Sequence, residues 1–155
     1  MTTYQFVDYL KTPIGTLLIQ ASNDGIEKVI FTEQQSITIR KNQWTDLCKQ
    51  QLTEYFAKER TEFNLPLDQY GTRFQQTVWK ALLNIPFGKT ASYKYIAEDI
   101  NNAKAVRAVG AANGKNPISI IVPCHRVIGN NQSLTGYAGG LDRKAWLLKH
   151  EGIAL

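Results

Sequence analysis

The chain has 155 residues, 43% of them hydrophobic, and a formal net charge of +5. That length suits one domain or two small ones, and the composition is that of a soluble globular protein. There is no apolar run long enough for a membrane span, no signal-peptide pattern, no CxxC and no disulfide framework, so the expectation is a cytoplasmic, metal-free protein with Cys48 and Cys124 as free thiols.

The first third predicts a β-meander: a strand over Tyr4 to Leu10, a turn at Thr12-Pro13-Ile14-Gly15, and a strand over Thr16 to Ala21. A hairpin turn at Asn23-Asp24-Gly25 and a third strand over Ile26 to Thr32 follow, since Asp-Gly tolerates positive φ. Leu47, Gln51, Leu52, Tyr55 and Phe56 recur at helical spacing and predict a helix near Asp46 to Lys58. Phe63 to Leu67 reads as extended, and Pro66 to Gly71 as a linker. The domains expected are thus 1–67, β-rich, and 72–155.

The second part reads as mostly helical. Phe74, Val78 and Leu82 mark one face of a helix near Thr72 to Leu83, closed by Pro86-Phe87-Gly88. Ser92 is placed to cap a short helix over Tyr93 to Asp99. A tight turn at Asn101-Asn102 leads to a helix over Ala103 to Asn113, with Gly114 as its stop. Two short helices joined by a three- or four-residue turn are the layout of a helix-turn-helix, though many bundles share it. Ala105, Val106, Val109 and Ala112 share the inward face of the second helix. Lys104, Arg107, Ala108, Ala111 and Lys115 share the outward one. Such a face has few groups to read base edges in a major groove, but its slim profile suits a minor groove about 6 Å wide. A packed Ala-rich helix with two snorkelling cations fits the same pattern. Charge separates the halves as well. Residues 1–70 carry seven Lys/Arg against nine Asp/Glu, net −2, and residues 71–155 carry eleven against four, net +7. A basic half points to a polyanionic partner.

Val122-Pro123-Cys124-His125-Arg126-Val127-Ile128 holds one of two cysteines beside one of two histidines. The apolar run Ile118 to Val122 leads in, and the proline favours an extended Val122. A thiol at a rigid turn beside an imidazole can be deprotonated near neutral pH, and the thiolate is the reactive form. A buried structural cysteine is the plain alternative.

This string resembles the active-site motif of the O6-alkylguanine-DNA alkyltransferases, in the form of the bacterial single-chain members. The resemblance extends over Phe74 to Gly152. It takes in Val78-Trp79-Lys80-Ala81-Leu82, Ile85-Pro86-Phe87-Gly88, Ser92-Tyr93, Arg107-Ala108-Val109-Gly110, Asn113 and Asn116-Pro117. It continues through Gly136-Tyr137-Ala138-Gly139-Gly140, Leu147-Leu148 and Glu151-Gly152. It implies an α/β (α+β) fold: a small antiparallel, ribonuclease H-like N-terminal domain, and a mostly helical C-terminal domain with a helix-turn-helix of winged-helix type. It also implies direct reversal of O6-alkylguanine, and of O4-alkylthymine, in duplex DNA. The base is flipped through the minor groove and its alkyl group passes irreversibly to a cysteine. No cofactor is implied, because the thiolate is both nucleophile and acceptor. The partner is double-stranded DNA with alkylated bases, and the protein is expected as a monomer away from membranes.

Carried onto this sequence, the resemblance makes Cys124 the nucleophile, His125 a base acting through a water, and Glu151 the group that orients the imidazole. Glu151 closes the last helix, where the dipole disfavours a carboxylate, so a compensating partner such as His125 explains its place. Asn116 would hold the turn before a strand to Cys124. Tyr93 would donate a hydrogen bond to the leaving guanine and crowd the rotating phosphate. Arg107 would fill the stack from the minor groove. Lys104, Lys115, Ser92, Ala105, Ala108 and Arg126 join Tyr93 and Arg107 at the DNA face. Tyr137, Ala138, Val127 and Gly139 would line the pocket. Three positions depart from the pattern. Gln132 stands where many members have Gly, Ala138 where some have Ser, and Ser119 where some have Pro. Non-repairing relatives that bind alkylated bases carry Trp in place of the nucleophile, and Cys124 argues against that reading. A turnover Cys-His hydrolase does not account for the basic half. A helix-turn-helix regulator leaves the Cys-His-Glu set unused.

Overall fold

A computed structural model describes residues 5–155, so Tyr4, placed in the first strand by the sequence, lies outside the described residues. The chain divides into two compact units, residues 1–70 and 71–155, in a mixed α/β fold.

In the first unit, β1 (Phe6–Thr12), β2 (Gly15–Ala21) and β3 (Ile26–Thr32) form an antiparallel meander. Tyr9 pairs with Leu18, and Leu18 with Ile30, so Val7, Tyr9, Leu18 and Ile30 cluster on one face. Alternation sends Leu17, Ile19 and Val29 to the other face, where helix α1 (Gln43–Phe56) packs, chiefly on β1 and β2. This helix begins earlier than its apolar spacing indicates. The Asn42 side chain accepts from the backbone N–H of Trp44 and Thr45, and the Thr45 hydroxyl accepts from the Asn42 N–H, closing a capping box. The segment read as a linker begins as structure. Ile26 N–H donates to the Pro66 carbonyl at 2.8 Å, and Asp68 N–H to the Ile26 carbonyl at 2.7 Å, extending the edge of β3.

The second unit holds α2 (Arg73–Leu82), β4 (Ala91–Ser92), α3 (Tyr93–Asp99) and α4 (Val106–Gly114). A 3-10 turn over Cys124–Arg126, then β5 (Val127–Ile128) and α5 (Leu141–His150), complete it. Thr72 and Gln75 cap α2 reciprocally, and the Ser92 hydroxyl accepts from Tyr95 N–H to start α3. Helix α4 starts at Val106 rather than Ala103, and Gly114 ends inside it. Residues 103–105 form a turn pinned by the Ala105 N–H to Asn102 carbonyl bond, and Asn101 takes φ 59°. The connection between α3 and α4 therefore runs six residues, Ile100 to Ala105, longer than the turn the sequence suggested. The faces of α4 fall as the spacing indicates. Val109, Ala112 and Asn113 are buried, while Lys104, Arg107, Ala108, Ala111 and Lys115 are exposed.

The approach to Cys124 is not a strand. Ile121 N–H donates to Ser119, Val122 N–H to Ile118, and Cys124 N–H to Val122, winding residues 118–124 into successive turns. Pro123 sits at φ −81°, ψ 62°, the inverse γ geometry. Ile120, at φ 72°, holds a left-handed conformation costly for a β-branched residue. β5 pairs in parallel with β4, Val127 against Ala91.

Trp79 ties α2 to α4 through its indole N–H, which donates to the Ala112 carbonyl at 2.8 Å in a fully buried contact. Its ring lies against Gly71, where an added Cβ would fall 2.6 Å from Trp79 Cζ3. Gly71→Ala should accordingly lower the unfolding free energy by about 1–3 kcal/mol by overpacking. Chemical denaturation measures it, and a variant as stable as the parent would show that the ring yields freely.

Candidate active site

The side chains that carry chemistry converge in the second unit on the 3-10 turn. The turn makes Cys124, His125 and Arg126 successive residues, yet buries all three. Glu151, the C-cap of α5, provides their common partner. His125 Nε2 lies 2.8 Å from Glu151 Oε2. Arg126 Nε donates to Oε1 at 2.7 Å and Nη2 to Oε2 at 3.0 Å, a bidentate grip. Arg126 Nη1 also donates to the Ile85 carbonyl at 2.7 Å, fastening the loop after α2 to the same cluster. The compensating partner expected for Glu151 is thus double, a histidine and an arginine. The expectation that Arg126 meets DNA does not hold: it is 6% exposed, and its guanidinium is spent on Glu151 and Ile85.

Electrostatics follow from this packing. Burial alone would raise the Glu151 pKa, but hydrogen bonds from His125 and Arg126 outweigh it and hold the carboxyl down at about 2. Burial lowers the pKa of His125, with Arg126 and Lys144 adding to it against the pull of Glu151. The imidazole is therefore neutral. An ionised carboxylate only accepts, so the His125 proton sits on Nε2. Nδ1, buried and without a hydrogen-bond partner among the described residues, keeps its lone pair. Cys124 is 3% exposed, and burial pushes its thiol up, opposed by Asn116, by Lys144 and by its own backbone N–H. Burial thus favours the thiol over the thiolate in this state, so a base has to take its proton before the sulfur can react.

Asn116 shapes the turns before the thiol. Its side-chain amide donates to the carbonyls of Ile118 and Val122 at 3.1 and 2.9 Å, and its oxygen accepts from Ile118 N–H at 3.0 Å. Asn113 donates to the Cys124 carbonyl at 3.3 Å. Lys144 is a further member of the site. It is fully buried, and Nζ donates to the carbonyls of Val127 at 2.6 Å and Thr135 at 2.9 Å. Burial lowers its pKa to about 8. The signal was present in the spacing, because Lys144, Leu147, Leu148 and Glu151 recur at i, i+3, i+4 and i+7 on one helix face.

Around this core, Tyr137 buries its hydroxyl, and burial pushes the phenol far up against the opposing effect of Ser119. Val127 has no exposed surface and its carbonyl is taken by Lys144, so it backs the site rather than facing a ligand with its side chain. Ala138 is exposed and Gly139 half-buried in the loop before α5. Gly140 caps that helix at φ 94°, a conformation that favours glycine. Gln132 takes φ 65°, so the loop keeps a glycine-like turn without glycine, closed by bonds between Gly129 and Gln132 and between Gly129 and Ser133. Tyr93 begins α3, with its ring beside Gly110 and its hydroxyl 2.6 Å from Thr135 Oγ1. Ser92 is half-buried and engaged as a helix cap, and Ala105 is half-buried at the start of α4.

The depressed pKa of Glu151 makes stability depend on pH. Its unfolded value is about 4.3 and its folded value lower, so the contribution is full above about pH 4.3 and is lost as pH falls through the folded value. That contribution is about 3 kcal/mol. Denaturant unfolding from about pH 5 downward should show this loss, and Glu151→Gln should flatten the slope while lowering the plateau. An unchanged slope in the variant would mean that another carboxylate carries the acid lability.

Residues 73–153 match the family model described as 6-O-methylguanine DNA methyltransferase, DNA binding domain. Residues 6–69 match the model described as its ribonuclease-like domain. A methylated-DNA–protein-cysteine methyltransferase of Methanosarcina acetivorans is 47% identical over 148 residues, covering 92% of this chain and 95% of that protein. A crystal structure of the Mycobacterium tuberculosis O6-methylguanine methyltransferase superposes with a TM-score of 0.88 at 44% identity, covering 98% of this chain and 96% of that one. The structure of Mycobacterium tuberculosis OGT in complex with DNA gives 0.84 at 47% identity, covering 96% and 92%. Two domain models in order and near-full-length similarity lead to one conclusion: the chain belongs to the 6-O-methylguanine DNA methyltransferase family.

Proposed function

We propose that this protein repairs DNA by direct reversal, moving the alkyl group of O6-alkylguanine in duplex DNA to Cys124. The observation that carries the reading is the buried set of Cys124, His125, Glu151 and Arg126, in which the imidazole next in sequence to the thiol keeps Nδ1 unpartnered among the described residues. Glu151 fixes the Nε2–H tautomer, and Nδ1 takes the thiol proton through a water. Sulfur then attacks the alkyl carbon. The S–C bond forms as the C–O bond to guanine breaks, and Tyr93 donates a hydrogen bond to the departing base. The thioether has no hydrolytic route in this site, so each molecule reacts once.

A stacked guanine cannot be approached in line, so the base must leave the duplex. The exposed face of α4, small residues flanked by Lys104, Arg107 and Lys115, is the surface suited to a minor groove. Arg107 is assigned to fill the vacated stack, and the two lysines to neutralise phosphates. Tyr137, Ala138 and Gly139 wall the pocket that takes the flipped base.

Incubation with methylated duplex DNA should add one methyl group, located on Cys124 by peptide mass, with one guanine restored per protein. Cys124→Ser should bind the DNA and transfer nothing, because an unactivated hydroxyl is far less nucleophilic. Multiple turnovers, or label on Cys48, would sink the assignment. Burial alone pushes the Cys48 thiol to about 12, which leaves it inert.

Arg107→Ala should slow repair of duplex DNA by at least about tenfold, since extruding a base costs a few kcal/mol. It should leave the reaction with free O6-methylguanine unchanged. Arg107→Lys should restore part of the rate, because an ammonium neither stacks nor forks its hydrogen bonds. Equal losses on duplex and free base would remove Arg107 from the flipping step.

A further inference from the structure

Thr135 lies in the loop between β5 and α5, and its hydroxyl oxygen is 2.6 Å from that of Tyr93. This is short for a hydrogen bond between neutral hydroxyls, which cluster at about 2.7–2.8 Å. Thr135 is held from a second side. Its carbonyl accepts from Lys144 Nζ at 2.9 Å, and the same ammonium grips the Val127 carbonyl at 2.6 Å. The position of Thr135 is thereby fixed to the strand that follows Cys124. The Tyr93 ring is fixed as well, because it lies beside Gly110 of α4 and begins α3 at a capped terminus.

A phenol carries one proton. If Tyr93 gave it to Thr135, none would remain for a ligand. If Thr135 donates instead, its proton goes to Tyr93 Oη and the phenolic proton is free to point into the pocket. We propose that Thr135 is a positioning residue for alkyl transfer: its hydroxyl donates to Tyr93 Oη and so aims the phenolic proton at the departing guanine. The inference rests on the reading of Tyr93 as donor to the leaving base. As the C–O bond breaks, negative charge grows on guanine and draws the Tyr93 proton towards it. The Thr135 bond then strengthens in step, because hydrogen bonds in a chain polarise one another. No proton leaves Thr135, and no other bond is made or broken there.

The test is the second-order rate of methyl transfer from O6-methylguanine in duplex DNA. Thr135→Val keeps the shape and removes the hydroxyl, and should slow transfer by about tenfold, the value of one net hydrogen bond in the transition state. Thr135→Ser keeps the hydroxyl and should stay within about twofold of the parent. In a Tyr93→Phe background, Thr135→Val should cost nothing further, since the bond it serves is already gone. Thermal unfolding of all variants reports any purely structural effect. A full rate for Thr135→Val beside a slow Tyr93→Phe overturns the inference and leaves Tyr93 as donor. Additive losses in the double variant also overturn it, placing Thr135 in the fold alone. A full rate for Tyr93→Phe overturns the reading of Tyr93 and this inference with it.

Discussion

The site depends on one buried carboxylate. Glu151 ends α5 where the helix dipole opposes a negative charge, and it is removed from water. Both conditions disfavour the charged carboxyl. It stays ionised because Arg126 grips both oxygens and His125 donates to one of them. The same contacts set the geometry of the chemistry. They fix the tautomer of the imidazole, the path of the 3-10 turn, and, through the Ile85 carbonyl, the loop that closes α2. Truncating one partner of such a cluster leaves a charge buried and unpaired, which costs about 3–5 kcal/mol. The cluster therefore holds the fold of the turn together as well as the geometry that the proposed function uses.

Burial alone does not make a cysteine a nucleophile. Cys48 and Cys124 are both buried, and burial raises both thiols. On α1, burial sets the Cys48 thiol, whereas Cys124 has Asn116, Lys144 and a backbone N–H pulling the other way, with a neutral base next in sequence. A raised thiol also has a protective consequence. Held as S–H and shielded from solvent, it resists adventitious oxidation and metal capture, both of which need the thiolate. Its reactivity is released when a substrate completes the site and the proton has somewhere to go.

Much of this was legible in the sequence, and the parts that were not have identifiable physics. β3 and α3 fall where composition and capping place them, because a hairpin turn and Ser92 fix their ends locally. The start of α1 was missed because its capping box uses Thr45 at the third helical position, where Glu or Gln is the usual signal. The run before Cys124 looks like a buried strand, being short, apolar and β-branched. Asn116 overrides that propensity by satisfying the backbone within the turn, at the expense of a left-handed Ile120. The family resemblance places Arg126 at the DNA face. Only tertiary placement reveals that Glu151, 25 positions on, claims it. Lys144 was overlooked for the opposite reason: its helix face was readable, but a lysine on that face contradicts the usual pattern of burial.

The loop before α5 shows how a segment can be fastened without regular structure. The stretch from Gly129 to Gly140 contains no strand or helix, and Gln132 holds φ 65° within it. Its backbone is instead fastened by side chains. Lys144 binds two carbonyls from below, Arg143 donates to the Gly139 carbonyl at 3.1 Å, and Tyr93 meets Thr135 from α3. A lysine suits the task because one ammonium supplies three donors and so can tie two carbonyls at once. Removing it would leave those carbonyls under-satisfied in an interior where each costs about 1–3 kcal/mol. The buried cation is thus a structural rivet whose positive field also reaches Cys124. A loop held at discrete points can keep its outer side free of backbone ladders, which is the side the proposed function assigns to the flipped base.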